Sequence, residues 1–208
     1  MAITIYDLKP RFQRLLRPLA QALANAGVTA NQVTLLAMLL SIVIGAFVAW
    51  RAEAIWPFLL LPAWLFVRMA LNAIDGMLAR EFGQQSALGA YLNELSDVVS
   101  DAALYLPFAL LPPFGLVSVG LVVLLSALSE MAGALGPMVG APRRYDGPMG
   151  KSDRAFVFGA LGLYVGLGAP LSPHAYWLMP VSSVLIALNI RNRVRRGVAE
   201  AAAKGGRA

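Results

Sequence analysis

The chain has 208 residues, with 17 Lys and Arg against 11 Asp and Glu, one His and no Cys. With 59% of residues hydrophobic, 13% charged and a mean hydropathy of +0.68, it is too apolar for an ordinary soluble domain, where charged residues make up about 25%. The absent cysteine excludes a disulfide framework, a thiolate metal site and a thiol nucleophile, and the +6 net charge needs no nucleic-acid partner, because arginines beside anionic lipid heads account for it.

The composition and hydropathy pattern predict an all-α membrane protein in which an N-terminal interfacial amphipathic helix precedes six transmembrane helices. From Ile3 to Ala26, the apolar residues Tyr6, Leu8, Phe12, Leu15, Leu16, Leu19 and Leu23 alternate with Lys9, Arg11, Arg14 and Arg17, as in a helix lying in the headgroup plane. This segment lacks the uninterrupted apolar core and cleavage site of a signal peptide and is expected to stay on the mature protein. Thr29 or Asn31 is placed to cap the first span. Six apolar segments follow, at about 32–50, 54–78, 85–111, 114–138, 153–170 and 173–190, each near the ~20 residues that cross a hydrocarbon core. The expected division is an interfacial helix over 1–28, a six-helix catalytic domain over 29–192 and a basic tail over 193–208. His174 lies in a Ser-Pro-His loop and reads as polar surface.

Apart from Arg51 beside Glu53 and Arg68 inside the second span, every Lys and Arg falls on one side of these segments. The positive-inside rule then puts both termini and the Asp75 region in the cytoplasm, with the chain a multi-pass protein of the inner membrane.

The chemistry-bearing residues gather on that side. Asn72, Asp75, Gly76 and Ala79 share one face at the end of the second span, and Gly89, Asn93, Asp97 and Asp101, each four apart, share one face of the third. Oxygen donors facing each other from two helices suit a hard divalent cation, and Mg2+ commonly pairs one or two carboxylates with substrate phosphate oxygens. Asp75, Glu94, Asp97 and Asp101 would repel one another unless a cation or protons neutralised them. Gly76, Ala79 and Gly89 have no bulk on these faces, leaving room either for close helix packing or for a ligand against the backbone.

The run Asp75-Gly76-x2-Ala79-Arg80-x8-Gly89-x3-Asn93-x3-Asp97 resembles the signature of the CDP-alcohol phosphotransferase family, integral membrane enzymes of phospholipid synthesis. Val28-Thr29-Ala30-Asn31-Gln32-Val33-Thr34 is similar to that family's entry to the first span, with Ala30 in place of a proline. The resemblance implies Mg2+, or Mn2+, as cofactor, a CDP-linked lipid or alcohol as donor, a hydroxyl acceptor and release of CMP, in a membrane-embedded and commonly homodimeric enzyme. It implies that Asp75 holds the metal and that Asp97 is the general base. Gly76 and Ala79 would sit against the nucleotide, Asn31 and Thr34 near the phosphates, and Arg80 at the cytoplasmic mouth. Two of the four signature aspartates are replaced, by Asn72 and Asn93, so Glu94 and Asp101 join the candidate ligands. These losses of charge keep a second reading open, that of an inactive relative that binds CDP-lipid or phospholipid.

A basic connection, Arg143-Arg144 to Lys151-Ser152-Asp153-Arg154, precedes the fifth span at the place where similar inositol-phosphate-using enzymes contact their acceptor. Lys151, Arg154 and Arg144, with Glu130 from the fourth span, are therefore candidate acceptor residues. Lys151 and Arg154 rank first, being one helical turn apart at the membrane entry. This cluster favours a phosphorylated polyol among the possible acceptors. Arg68 has three outlets that spacing does not separate: Asp101, Glu130 or a lipid headgroup.

Overall fold

The computed structural model describes residues 5–205, with side chains from Arg11 onward. Ile3, Tyr6, Leu8 and Lys9, used above in reading the N-terminal segment, have side chains outside the described residues. Among the described residues there are seven α-helices and no strand: α1 (Ile5–Asn25), α2 (Ala30–Trp50), α3 (Leu60–Glu81), α4 (Ala87–Tyr105), α5 (Leu116–Ala134), α6 (Lys151–Gly166) and α7 (Leu178–Gly205). Three helical stretches, 30–50, 56–81 and 116–134, are long and apolar enough to cross a membrane. The other segments expected to cross carry more charge or are shorter, and α4, α6 and α7 hold the buried ions described below.

The local sequence explains where the helices start. Thr29 caps α2 by accepting from the Gln32 N–H at 3.2 Å, while the Gln32 side chain accepts from the Thr29 N–H at 2.8 Å. Ser86 caps α4 through the Gly89 N–H, and the Asp153 carboxylate accepts from the Gly150 N–H at the head of α6. Such caps satisfy amide donors that a helix leaves free. Gly83, with φ +68°, reverses the chain between α3 and α4. Gln84 then bridges back to the start of α2, accepting from the Ala30 N–H and donating to the Val28 carbonyl.

Helix α2 packs on both α3 and α4, α5 on α7, and α3 on α6 and α1. The α2–α4 approach is so close that a Cβ on Gly45 would lie 2.1 Å from the Ala103 carbonyl oxygen. In the core, Tyr105 stacks on Phe158 at 4.0 Å and Trp64 donates to Ser41 at 2.9 Å, joining α4 to α6 and α3 to α2. Large apolar side chains such as Leu39, Val43, Phe66, Val117, Phe156 and Val184 point outward instead, as the lipid-facing side of a membrane protein requires. Helix α1 lies along α3, with Ala20 buried and Arg17 paired to Glu81 at 3.0 Å. Helix α7 continues through residue 193, where the basic tail was expected to begin, and Arg193 is buried.

Candidate active site

The two polar faces expected from spacing meet between α3 and α4. The Asn72 side-chain amide donates to Asp97 Oδ1 at 3.3 Å. Asp75 is buried, and its Oδ2 accepts from the Thr34 hydroxyl at 2.8 Å, so α2 orients it. Asp75 and Asp97 are close enough for their charges to interact, and Lys151 acts on both. Small residues leave room for neighbouring polar groups: a Cβ on Gly76 would meet Arg80 Nη2 at 2.7 Å, and one on Gly89 would meet Asn31 Oδ1 at 2.8 Å. The Arg80 guanidinium thus folds back over Gly76, and Asn31 lies against Gly89. Ala79 is half-buried and packs on the apolar cluster of α1, α2 and α3. Asn93 is half-buried one turn before Asp97.

Around these groups runs a network of buried ions. Arg68, from α3, reaches Asp97 Oδ1 at 3.1 Å and Asp101 Oδ1 at 2.6 Å, which settles its partner in favour of Asp101 over Glu130 and adds Asp97. Asp101 Oδ2 takes Arg154 at 3.2 Å, so both oxygens of this candidate ligand are engaged by guanidinium groups. Glu94 pairs with Arg143. Arg154, fully buried, also reaches Glu130 Oε1 at 2.9 Å, and Lys151 Nζ sits 2.5 Å from Asp97 Oδ2. Removing one partner from such a buried pair strands the other charge and typically costs about 3–5 kcal/mol.

Arg144, a candidate acceptor residue, belongs to a separate cluster with Asp146 and Glu200, to which Arg196 and Lys204 add. Spacing missed three members of the main site. Arg143 joins Glu94 and Glu130. Arg193 approaches Glu130 Oε2 at 3.6 Å and donates to the Ser129 carbonyl. Asn189, buried in α7, accepts from Ser129 and donates to the Pro148 carbonyl, tying the loop before α6 to α5. A polar residue in an apolar helix was the available signal for Asn189.

No group of three or more Asp, Glu or His side chains is disposed to hold a metal among the described residues. With both oxygens of Asp101 held by arginines and Glu94 paired to Arg143, the remaining oxygen donors are the carboxylate of Asp75, the amide oxygens of Asn72 and Asn93, and Asp97, whose Oδ2 is covered by the Lys151 ammonium alone. Two negative charges with neutral oxygens fit one hard divalent cation and do not fit a pair of them.

The family model for CDP-alcohol phosphatidyltransferase matches residues 27–189. The chain is 47% identical over 193 residues to the inner membrane protein YnbA of Escherichia coli, covering 93% of this chain and 96% of that one. It is 31% identical over 204 residues to the phosphatidylinositol phosphate synthase of Streptomyces avermitilis, covering 91% and 82%. Its fold is shared with the crystal structure of the Mycobacterium tuberculosis phosphatidylinositol phosphate synthase with CDP-DAG bound, at a TM-score of 0.72 and 20% identity, over 88% of this chain and 94% of that one. The same enzyme in complex with manganese and citrate gives 0.68 at 20% identity, over 86% and 87%. With its apolar helices and its Asp75-Gly76-x2-Ala79-Arg80-x8-Gly89-x7-Asp97 run inside the matched region, the chain belongs to the CDP-alcohol phosphatidyltransferase family and is a membrane phosphotransferase.

Proposed function

We propose that the protein transfers a phosphatidyl or other substituted phosphoalcohol group from a CDP-linked donor such as CDP-diacylglycerol to an acceptor hydroxyl, releasing CMP. The observation that carries this reading is the placement of Asp75 and Asp97 on facing helices, one oriented by Thr34 and the other by Arg68 and Asn72. The CDP-DAG and the manganese in the structures of the mycobacterial relative support a CDP-lipid donor and a divalent cation here, Mg2+ or Mn2+. Asp75, Asp97, Asn72 and Asn93 would hold that cation, which when bound offsets charge on the pyrophosphate and on the departing CMP.

The residues of the chain do the rest. Arg68 and Asn72 fix Oδ1 of Asp97, and Oδ2 accepts the acceptor's hydroxyl proton once the flexible Lys151 side chain moves from it. The new bond forms between that oxygen and the lipid-side phosphorus as the pyrophosphate P–O bond breaks and CMP leaves. Arg80 and Asn31 border the room left by Gly76 and Gly89, where the nucleotide and phosphates would lie.

In the membrane, segment 1–28 lies at the headgroup surface and 29–192 forms a six-span body, a division that the family match over 27–189 supports. Trp50, Trp56 and Trp177, at the far ends of the helices from Asp75, suit the opposite interface. The test is labelled CDP-diacylglycerol in mixed micelles with Mg2+ and a panel of alcohols, read by lipid chromatography. A new phospholipid that depends on both the alcohol and Mg2+ supports the reading, and unchanged donor with every alcohol refutes it.

A further inference from the structure

Glu130 is the centre of an arrangement to which the transfer steps above assign no role. Three arginines from three parts of the fold converge on this one buried carboxylate: Arg154 of α6 at 2.9 Å, Arg143 of the loop after α5 at 3.4 Å and Arg193 of α7 at 3.6 Å. The Nε atoms of all three are buried without a hydrogen-bond partner. Buried donors are normally satisfied, so this seat has more donors than the protein has acceptor oxygens to offer it.

Charge decides what class of ligand completes it. Arg68, Arg143, Lys151, Arg154 and Arg193 are matched one for one by Asp97, Glu94, Asp101, Glu130 and the nearby Asp75. One divalent cation and the two negative charges of a CDP-lipid pyrophosphate cancel each other as well. Apart from Arg80, which faces the room beside Gly76 where the donor's phosphates would lie, no cation of this set is left to balance a phosphate on the acceptor, and Glu130 already occupies the space among three arginines that an anion would take. A like charge brought against it is strongly disfavoured.

Resting on the transferase reading above, we propose that Glu130 acts as a built-in anion and makes the enzyme select an acceptor alcohol that carries no phosphate. An uncharged polyol adds no charge where Arg143 and Lys151, the part-exposed cations of the set, border Glu94 and Asp97. In this respect the chain departs from the relatives whose names specify a phosphorylated product, phosphatidylinositol phosphate.

The experiment compares wild type with Glu130→Gln, which keeps the side chain's size and removes its charge. The acceptor pairs are inositol against inositol 1-phosphate and glycerol against glycerol 3-phosphate. Wild type is expected to favour the uncharged member by about 10-fold or more in kcat/KM, and Glu130→Gln to move that ratio by about 10-fold towards the phosphorylated one. A wild-type preference for the phosphorylated member, or an unmoved ratio in an active variant, overturns the proposal. Thermal-shift titration with inorganic phosphate, run with saturating CDP-diacylglycerol so that the donor's phosphate site is filled, needs no turnover: wild type should show no stabilisation and Glu130→Gln a clear one. Stabilisation of wild type by phosphate overturns the proposal even if the variant fails to fold. Absence of CMP release with every acceptor would count against the transferase reading alone, and the titration would still decide the role of Glu130.

Discussion

Lys151 Nζ lies 2.5 Å from Asp97 Oδ2, joining the first residue of α6 to the carboxylate in the middle of α4. The same carboxylate is held on its other oxygen by Arg68 and Asn72. Asp97 is therefore held on one oxygen by Arg68 and Asn72 and covered on the other by Lys151, an arrangement that suits the base role proposed for it. Replacing Asp97 with Asn should lower CMP release by about 10²–10⁴-fold, the usual contribution of general-base catalysis. Lys151→Gln, which uncovers the base without removing it, should cost no more than about 10-fold. Initial rates of CMP release in the two variants check both statements.

On the proposed reading, Thr34 acts by orienting Asp75. Its hydroxyl sits 2.8 Å from Asp75 Oδ2, and loss of a group that orients a metal ligand typically weakens metal affinity about 10–100-fold. Thr34→Val should therefore raise the Mg2+ concentration giving half-maximal rate by about 10-fold while leaving the rate at saturating Mg2+ nearly unchanged. A metal titration of activity separates the two quantities.

Asn72 and Asn93 mark the positions where charge is missing from the donor set. The double variant Asn72→Asp, Asn93→Asp should bind Mn2+ more tightly, since each carboxylate adds a negative ligand beside Asp75 and Asp97. Mn2+ binding followed by electron paramagnetic resonance measures this without turnover. An unchanged affinity would show that these side chains do not reach the ion.

The C-terminal end of α7 should detach in acid. Burial pushes the Asp146 carboxyl up, but hydrogen bonds from Arg144 and Arg196, with their charges, outweigh it and hold the group below the usual carboxylate range. A depressed folded-state pKa contributes stability that is complete above the unfolded value, about 3.9, and is lost as pH falls through the folded value. Wild type should therefore lose thermal stability on acidification below about pH 4 more steeply than Asp146→Asn, as melting curves across that range will show.

Helical spacing was enough to bring Asn72 and Asp75 towards Asp97, because each polar set lies within one continuous helix and the connecting turn is short. It could not reveal that Arg193 and Asn189 belong to the site. Their partners, Ser129, Glu130 and Pro148, lie far away in the chain and meet them only through the packing of α5 on α7. Lys151 and Arg154, ranked first in the basic connection, do reach Asp97, Asp101 and Glu130, but naming Arg144 and not Arg143 beside them missed for a related reason. Arg143 and Arg144 are neighbours in a loop, yet one joins Glu94 and Glu130 while the other joins Asp146 and Glu200, a split that follows only from the packing around the loop. The partners of Arg68 were within reach of more than one helix rotation, and only the assembled fold selected Asp97 and Asp101.

The central claim is that Asp75 and Asp97 still form a working transferase site although two signature carboxylates are amides. The most direct measurement is CMP release from CDP-diacylglycerol by purified wild type and Asp97→Asn, with Mg2+ and with a panel of uncharged and phosphorylated alcohols. The account predicts acceptor-dependent CMP release by wild type that is lost in Asp97→Asn. Tight binding of CDP-diacylglycerol by wild type with no CMP formed from any alcohol would contradict it, and would identify the protein as an inactive lipid-binding relative.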